Sequence, residues 1–71
     1  MRRGLTLEQR RQQRREALIE AALDLFGTKG YQGTSIDEIC RTAYVSTRNF
    51  YEEFTGRDAL LGALIDQITD E

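Results

Sequence analysis

The sequence predicts an all-α domain, a bundle of three helices followed by the start of a fourth, on three observations. Apolar residues recur at helical spacing in four separate stretches. The chain has no Pro and several long stretches without Gly. A single Cys and no His argue against a disulfide framework and a zinc cage, the usual supports of a small non-helical domain. At 71 residues there is room for one domain, with a net stability of only a few kcal/mol.

The first helix is expected from Thr6 or Leu7 to Thr28. Leu18, Ala22, Leu25 and Phe26, with Ile19 beside them, follow i, i+4, i+7, i+8 and share one face. Gly30 can take a left-handed C′ conformation, with Tyr31 packing back on Phe26 in a Schellman arrangement. Gln32 and Gly33 then carry a turn. Ser35-Ile36-Asp37-Glu38 fits a capping box, which starts a second helix over 36–43. Eight residues are too few for a helix stable by itself, so Ile36, Ile39, Cys40 and Ala43 must hold it by packing.

Tyr44 and Val45 leave room only for a sharp corner. Ser46 is a good N-cap for a third helix over 47–54, with Phe50 and Phe54 facing inward. After Thr55 and Gly56, the residues Leu60, Leu61, Leu64, Ile65 and Ile68 mark a fourth helix from near Arg57 to about Asp70, with Asp58 favourably placed in its first turn. Its apolar surface exceeds what one side of a terminal helix needs, so structure beyond this chain is expected to cover part of it. With no internal repeat or linker in view, the chain divides into a basic N-terminal arm and start of helix 1 (1–13), a central unit (14–56) and helix 4 (57–71).

The net charge of -2 argues against an acidic partner until its distribution is read. Residues 1–15 carry six Arg against Glu8, a charge of +5, whereas the remainder carries -7. A basic segment ahead of a folded domain is the footprint of an arm lying along phosphates, and Arg10, Arg11 and Arg14 are its candidates. No apolar run approaches the ~20 residues of a membrane span, and nothing resembles a signal-peptide core, so a cytoplasmic protein without a membrane partner is expected. Catalysis is disfavoured: there is no His, no Gly-rich phosphate loop, no metal-ligand spacing and no inward carboxylate pair. Neither a catalytic site, a metal nor a cofactor is expected.

Residues 36–54 have the form of a helix-turn-helix reader. Cys40 supplies a small side chain where two helices cross, and Ile39, Val45, Phe50 and Phe54 lock them together. Such a corner lets the second helix point its N-terminal residues into a major groove. Thr47, Arg48 and Asn49 occupy that end. Arg can donate twice to guanine O6 and N7, Asn can pair with adenine N6 and N7, and Thr can meet thymine or phosphate. Tyr51, an aromatic with a polar tip one turn on, suits a phosphate contact.

The combination Leu18-Ile19-x-Ala21-Ala22-x-x-Leu25-Phe26, Gly30-Tyr31, Thr34-Ser35-Ile36, Ile39, Val45-Ser46, Phe50-Tyr51-x-x-Phe54 and Arg57-Asp58-x-Leu60-Leu61 resembles the DNA-binding domain of the TetR/AcrR family of repressors. The resemblance covers nearly the whole chain and implies a homeodomain-like helix-turn-helix. It also implies sequence-specific binding of double-stranded DNA by a repressor, at a palindromic operator. Carried over by position, Thr47, Arg48 and Asn49 would face base edges, and Thr34, Ser46, Tyr51 and Arg57 would meet phosphates. Members of the family are homodimers through a C-terminal domain that binds a small-molecule effector, and this chain contains none of that domain.

Three departures from the family pattern involve four positions. Tyr44 stands where Gly is frequent, Arg48 where a small residue is frequent, and Glu52 and Glu53 where His or another neutral ring is common. Glu52 and Glu53 are expected on a solvated face, since adjacent helical residues point about 100° apart and make no catalytic pair. Cys40 is expected to be a core residue with no redox role. The competing function is a helical protein–protein interaction module, using the exposed part of helix 4 and having no DNA affinity.

Overall fold

In the computed structural model, residues 6–69 are described, the side chains of 68 and 69 excepted. The helix end expected at Asp70, the core position expected of Ile68 and the arginines at 2 and 3 lie outside the described residues. The order is α1 (Leu7–Lys29), α2 (Ile36–Ala43), α3 (Thr47–Glu53) and α4 (Arg57–Thr69), with no strand among the described residues. The fold is the expected all-α helix-turn-helix bundle with a fourth helix. α1 runs across both α2 and α4, and α2 meets α3 at the corner.

Each short helix begins where its cap dictates. Thr6 Oγ1 accepts the Gln9 N–H at 3.1 Å while the Gln9 side chain accepts the Thr6 N–H at 3.0 Å, so α1 starts in a full capping box. Ser35 and Glu38 make the box expected at α2. Ser46 Oγ accepts the Asn49 N–H at 3.1 Å and starts α3. α3 stops one residue before Phe54, whose backbone is already extended although its ring remains in the core.

The end of α1 differs from expectation. Gly30 has φ 84° and ψ 156°, which is not the left-handed helical conformation, and its N–H bonds Phe26 O at 3.0 Å as any helical residue would. No Schellman motif forms there; the chain leaves through a region open essentially only to glycine. Tyr31 still returns to Phe26, edge to face with ring centres 5.2 Å apart. The Schellman motif is instead at the end of α2. The Tyr44 N–H reaches Arg41 O at 3.3 Å and the Val45 N–H reaches Cys40 O at 2.9 Å, with Tyr44 at φ 59° and ψ 42°. A tyrosine held there costs about 1 kcal/mol relative to glycine, which would make the same two main-chain hydrogen bonds.

Leu18, Ala21, Ala22, Ile39, Cys40, Phe50, Phe54, Leu60 and Leu64 form one core drawn from all four helices. Full burial of side chains such as Leu18, Ile39, Phe50 and Leu60 contributes roughly 1.5–3 kcal/mol each, and this is what holds α2 and α3 in helical form. Of the apolar residues expected in surplus on helix 4, Leu64 is buried in this core and Leu61 half-buried, which leaves Ile65 about half exposed; Leu23 on α1 is exposed to a similar extent.

Candidate nucleic-acid interface

Because Phe50 and Phe54 anchor α3 to the core, the opposite face of that helix is turned outward. Thr47 and Arg48 are exposed there, Asn49 is half-buried, and Tyr51 is 55% exposed with its ring edge to face against Phe50 at 5.2 Å. Ser46 is exposed as well; its oxygen accepts the cap hydrogen bond, which leaves its hydroxyl hydrogen able to donate outward. The N-terminal turn of α3 therefore offers Arg, Asn, Thr and Ser donors from a rigid, capped start.

Arg10, Arg11 and Arg14 stand on α1 itself, because the helix already begins at Leu7. Arg10 is exposed and lines a shallow groove with Ser46 and Asn49, so that part of the basic segment stands beside the N-terminal end of α3. Arg11 and Arg14 have a second commitment. Arg14 Nη2 is 3.2 Å, and Arg11 Nε 3.4 Å, from Glu53 Oε2. Arg14 also reaches the exposed Glu52 at 3.8 Å. The Glu53 side chain is only 5% exposed, so the expectation of a solvated acidic face is corrected for Glu53 and retained for Glu52. The reason is register: Glu53 lies three residues after Phe50 and next to Phe54, at the margin of the core face, under α1. Arg15 completes the contact, its guanidinium 4.8 Å from the centre of the Phe54 ring.

Thr34 and Arg57 gather in a different place. Thr34 is 1% exposed, and its hydroxyl donates to Gly30 O at 2.9 Å, with Leu25 O at 3.4 Å. Its side chain thus closes the end of α1 and is not presented to a phosphate, because the turn at Gln32-Gly33 folds it under α1. Arg57 Nη1 donates to Tyr31 O at 2.7 Å and to Thr34 O at 2.6 Å, and the guanidinium stacks 4.6 Å from the Tyr31 ring centre. The Tyr31 hydroxyl donates to Asp58, which holds its proton above the ordinary tyrosine range chiefly through that hydrogen bond, then through burial and the Asp58 charge. Arg57 is half-buried and clasps the 31–34 loop to the start of α4, while its remaining N–H groups border a groove with Ser35 and Ile36. Sequence spacing gave no sign of this clasp, since its partners are more than twenty residues apart.

Two other ionisable groups follow their surroundings. Lys29 binds Glu38 and, with the cap hydrogen bond at Ser35, holds that carboxyl below the usual glutamate range. Burial, followed by the charge of Asp37, pushes the Cys40 thiol up, away from the thiolate that redox chemistry needs. The described residues contain no metal-ligand cluster. No described helix is long and apolar enough to cross a membrane.

Residues 18–64 match the family described as bacterial regulatory proteins, tetR family. The chain is 36% identical over 59 residues to the uncharacterized HTH-type transcriptional regulator YuxN of Bacillus subtilis (strain 168), covering 83% of this chain and 20% of that protein. It is 37% identical over 57 residues to the HTH-type transcriptional regulator RutR of Escherichia coli (strain K12), with 80% and 27% covered. It is 42% identical over 52 residues to the transposon Tn10 TetC protein of Escherichia coli, with 73% and 26% covered. The crystal structure of an alanine-substituted HlyIIR mutant superposes with a TM-score of 0.77 at 35% identity, over 80% of this chain and 32% of that one. The chain spans about a fifth to a quarter of the length of these curated relatives.

Proposed function

This chain belongs to the tetR family of bacterial regulatory proteins, and from that premise we propose that it is the DNA-reading part of a transcriptional repressor. α3 enters the major groove of a palindromic operator. Thr47, Arg48 and Asn49 face base edges, Arg48 setting a preference for guanine and Asn49 for adenine. Ser46 and Tyr51 meet phosphates, as do Arg10 and the outward N–H groups of Arg57. Arg11 and Arg14 add positive potential tempered by Glu53. The observation that carries this reading is the exposure of Thr47 and Arg48 at the start of a helix capped by Ser46, with Arg10 in the adjoining groove.

In this reading α4 leads into a C-terminal domain that makes the homodimer and binds a small-molecule effector, and the exposed Leu23 supports a neighbour on the outer side of the bundle. Dimerisation sets two copies of α3 roughly one DNA turn apart, or a little more. The test is selection from a random duplex pool at low salt by this chain fused to a dimerising helix, followed by affinity against salt concentration. A palindrome with a steep salt dependence is the expected result. Recovery of nothing at any salt replaces this function with that of a protein-binding helical module.

A further inference from the structure

Tyr44 is left without a role by everything above. Its side chain is 96% exposed, on a left-handed backbone that glycine takes without steric penalty and an aromatic residue does not. Among the described residues it is the one non-glycine at positive φ. The corner needs the backbone conformation but not the phenol, because both capping hydrogen bonds are made by main-chain groups. The core does not use the ring either. A conformational penalty kept at a solvent-facing side chain points to a use outside the folded chain.

The location says what that use is. Tyr44 lines the groove it shares with Arg10, Ser46 and Asn49, and also the next one, shared with Arg41, Ser46 and Thr47. It therefore stands at the polar start of α3, on the side where α1 presents Arg10. A duplex whose major groove receives α3 carries its phosphates along that side. We propose that Tyr44 is a ligand of the DNA backbone, its phenol hydroxyl donating a hydrogen bond to a phosphate oxygen at the edge of the groove that α3 enters. The inference rests on the DNA-reading function proposed above. A neutral donor of this kind fixes the register of the reading helix on the duplex, carries no sequence information and releases no counterion.

The test measures fluorescence anisotropy of a short duplex bearing the selected half-site, at low salt, with the 71-residue chain and its Tyr44→Phe, Tyr44→Gly and Arg48→Ala variants, alongside thermal melts. Tyr44→Phe is expected to weaken binding about 3- to 10-fold, the worth of one hydrogen bond. The loss is equal on selected and scrambled duplexes, with unchanged salt dependence and unchanged melting. Tyr44→Gly is expected to weaken binding at least as much while melting at a higher temperature. Binding by Tyr44→Phe within about twofold of the unsubstituted chain, with Arg48→Ala still impaired on the selected duplex, overturns the proposal and leaves the DNA-reading function standing. Where binding needs the dimerising helix, the variants are compared in that fusion, and no binding to any duplex by the unsubstituted chain, alone or fused, overturns both.

Discussion

Glu53 lies beneath Arg14, with 3.2 Å between Oε2 and Nη2, and joins the last turn of α3 to the first half of α1. The carboxylate is almost fully covered while Arg11, its second partner, remains largely exposed. The acid thus ties α3 to α1 and at the same time engages two arginines that would otherwise add positive charge beside α3.

Glu53→Gln separates the two effects. Removing the charge from a covered carboxylate with partly exposed partners should cost about 1–2 kcal/mol of stability, read by denaturant unfolding. It also releases Arg11 and Arg14, so affinity for unselected DNA should rise and the slope of log affinity against log salt should steepen by about 1–2. An unchanged slope would show that the two arginines are not withheld by Glu53.

Arg48→Ala should lose about 1–3 kcal/mol on the selected site and relax sequence preference there. Tyr51→Phe should weaken all sites alike and leave melting unchanged. Arg57→Ala should weaken all sites and also lower the melting temperature, because it unpairs the carbonyls of Tyr31 and Thr34. Equal losses for all three variants on every duplex would remove Arg48 from base reading.

Two glycine substitutions should have opposite signs. A Cβ at Gly33 would stand 2.7 Å from Lys29 O, a backbone atom, so Gly33→Ala should destabilise by roughly 1–3 kcal/mol. Gly62, within α4, has nothing within 4 Å of the added Cβ, and Gly62→Ala should stabilise by about 0.5–1 kcal/mol. Thermal melts of the two variants check both; a common sign would mean that α4 or the 31–34 loop is not packed as described.

Acid should loosen the junction between α1 and α2. Glu38 has its folded pKa below the ordinary glutamate range, mainly through Lys29, so its contribution is present above the unfolded pKa and is lost as pH falls through the lower folded one. Glu38→Gln should therefore flatten the acid limb of a stability–pH curve and leave the neutral plateau slope unchanged. A limb of the same steepness in the variant would assign acid sensitivity to other carboxylates.

Nearly all of the fold was legible, because its determinants are local. The capping box of Ser35 with Glu38, the Ser46 cap and the apolar periodicity of Leu18 to Phe26 are read from neighbours a few positions apart. The exposure of Thr47 and Arg48 followed from the same arithmetic, since fixing Phe50 and Phe54 inward fixes them outward. What escaped was long in sequence and short in space: Glu53 under Arg11 and Arg14, Arg57 on the carbonyls of Tyr31 and Thr34, and the burial of Thr34. The position of Glu53 next to Phe54 was the available signal for the first. The backbone of Gly30 escaped for a different reason: glycine is permitted in several conformations, so its presence marks a stop without specifying which one.

The capping box that starts α1 at Thr6 means that Arg10, and Arg11 and Arg14 where they leave Glu53, would meet a duplex already arrayed on a stiff rod. An unstructured arm must lose chain entropy when it settles on phosphates, and coupled folding of that kind leaves a large negative heat-capacity change. For the segment from Thr6 onward there is no folding to couple. Association through these arginines should register in a calorimeter as a small, nearly temperature-independent heat, with the affinity coming from counterion release.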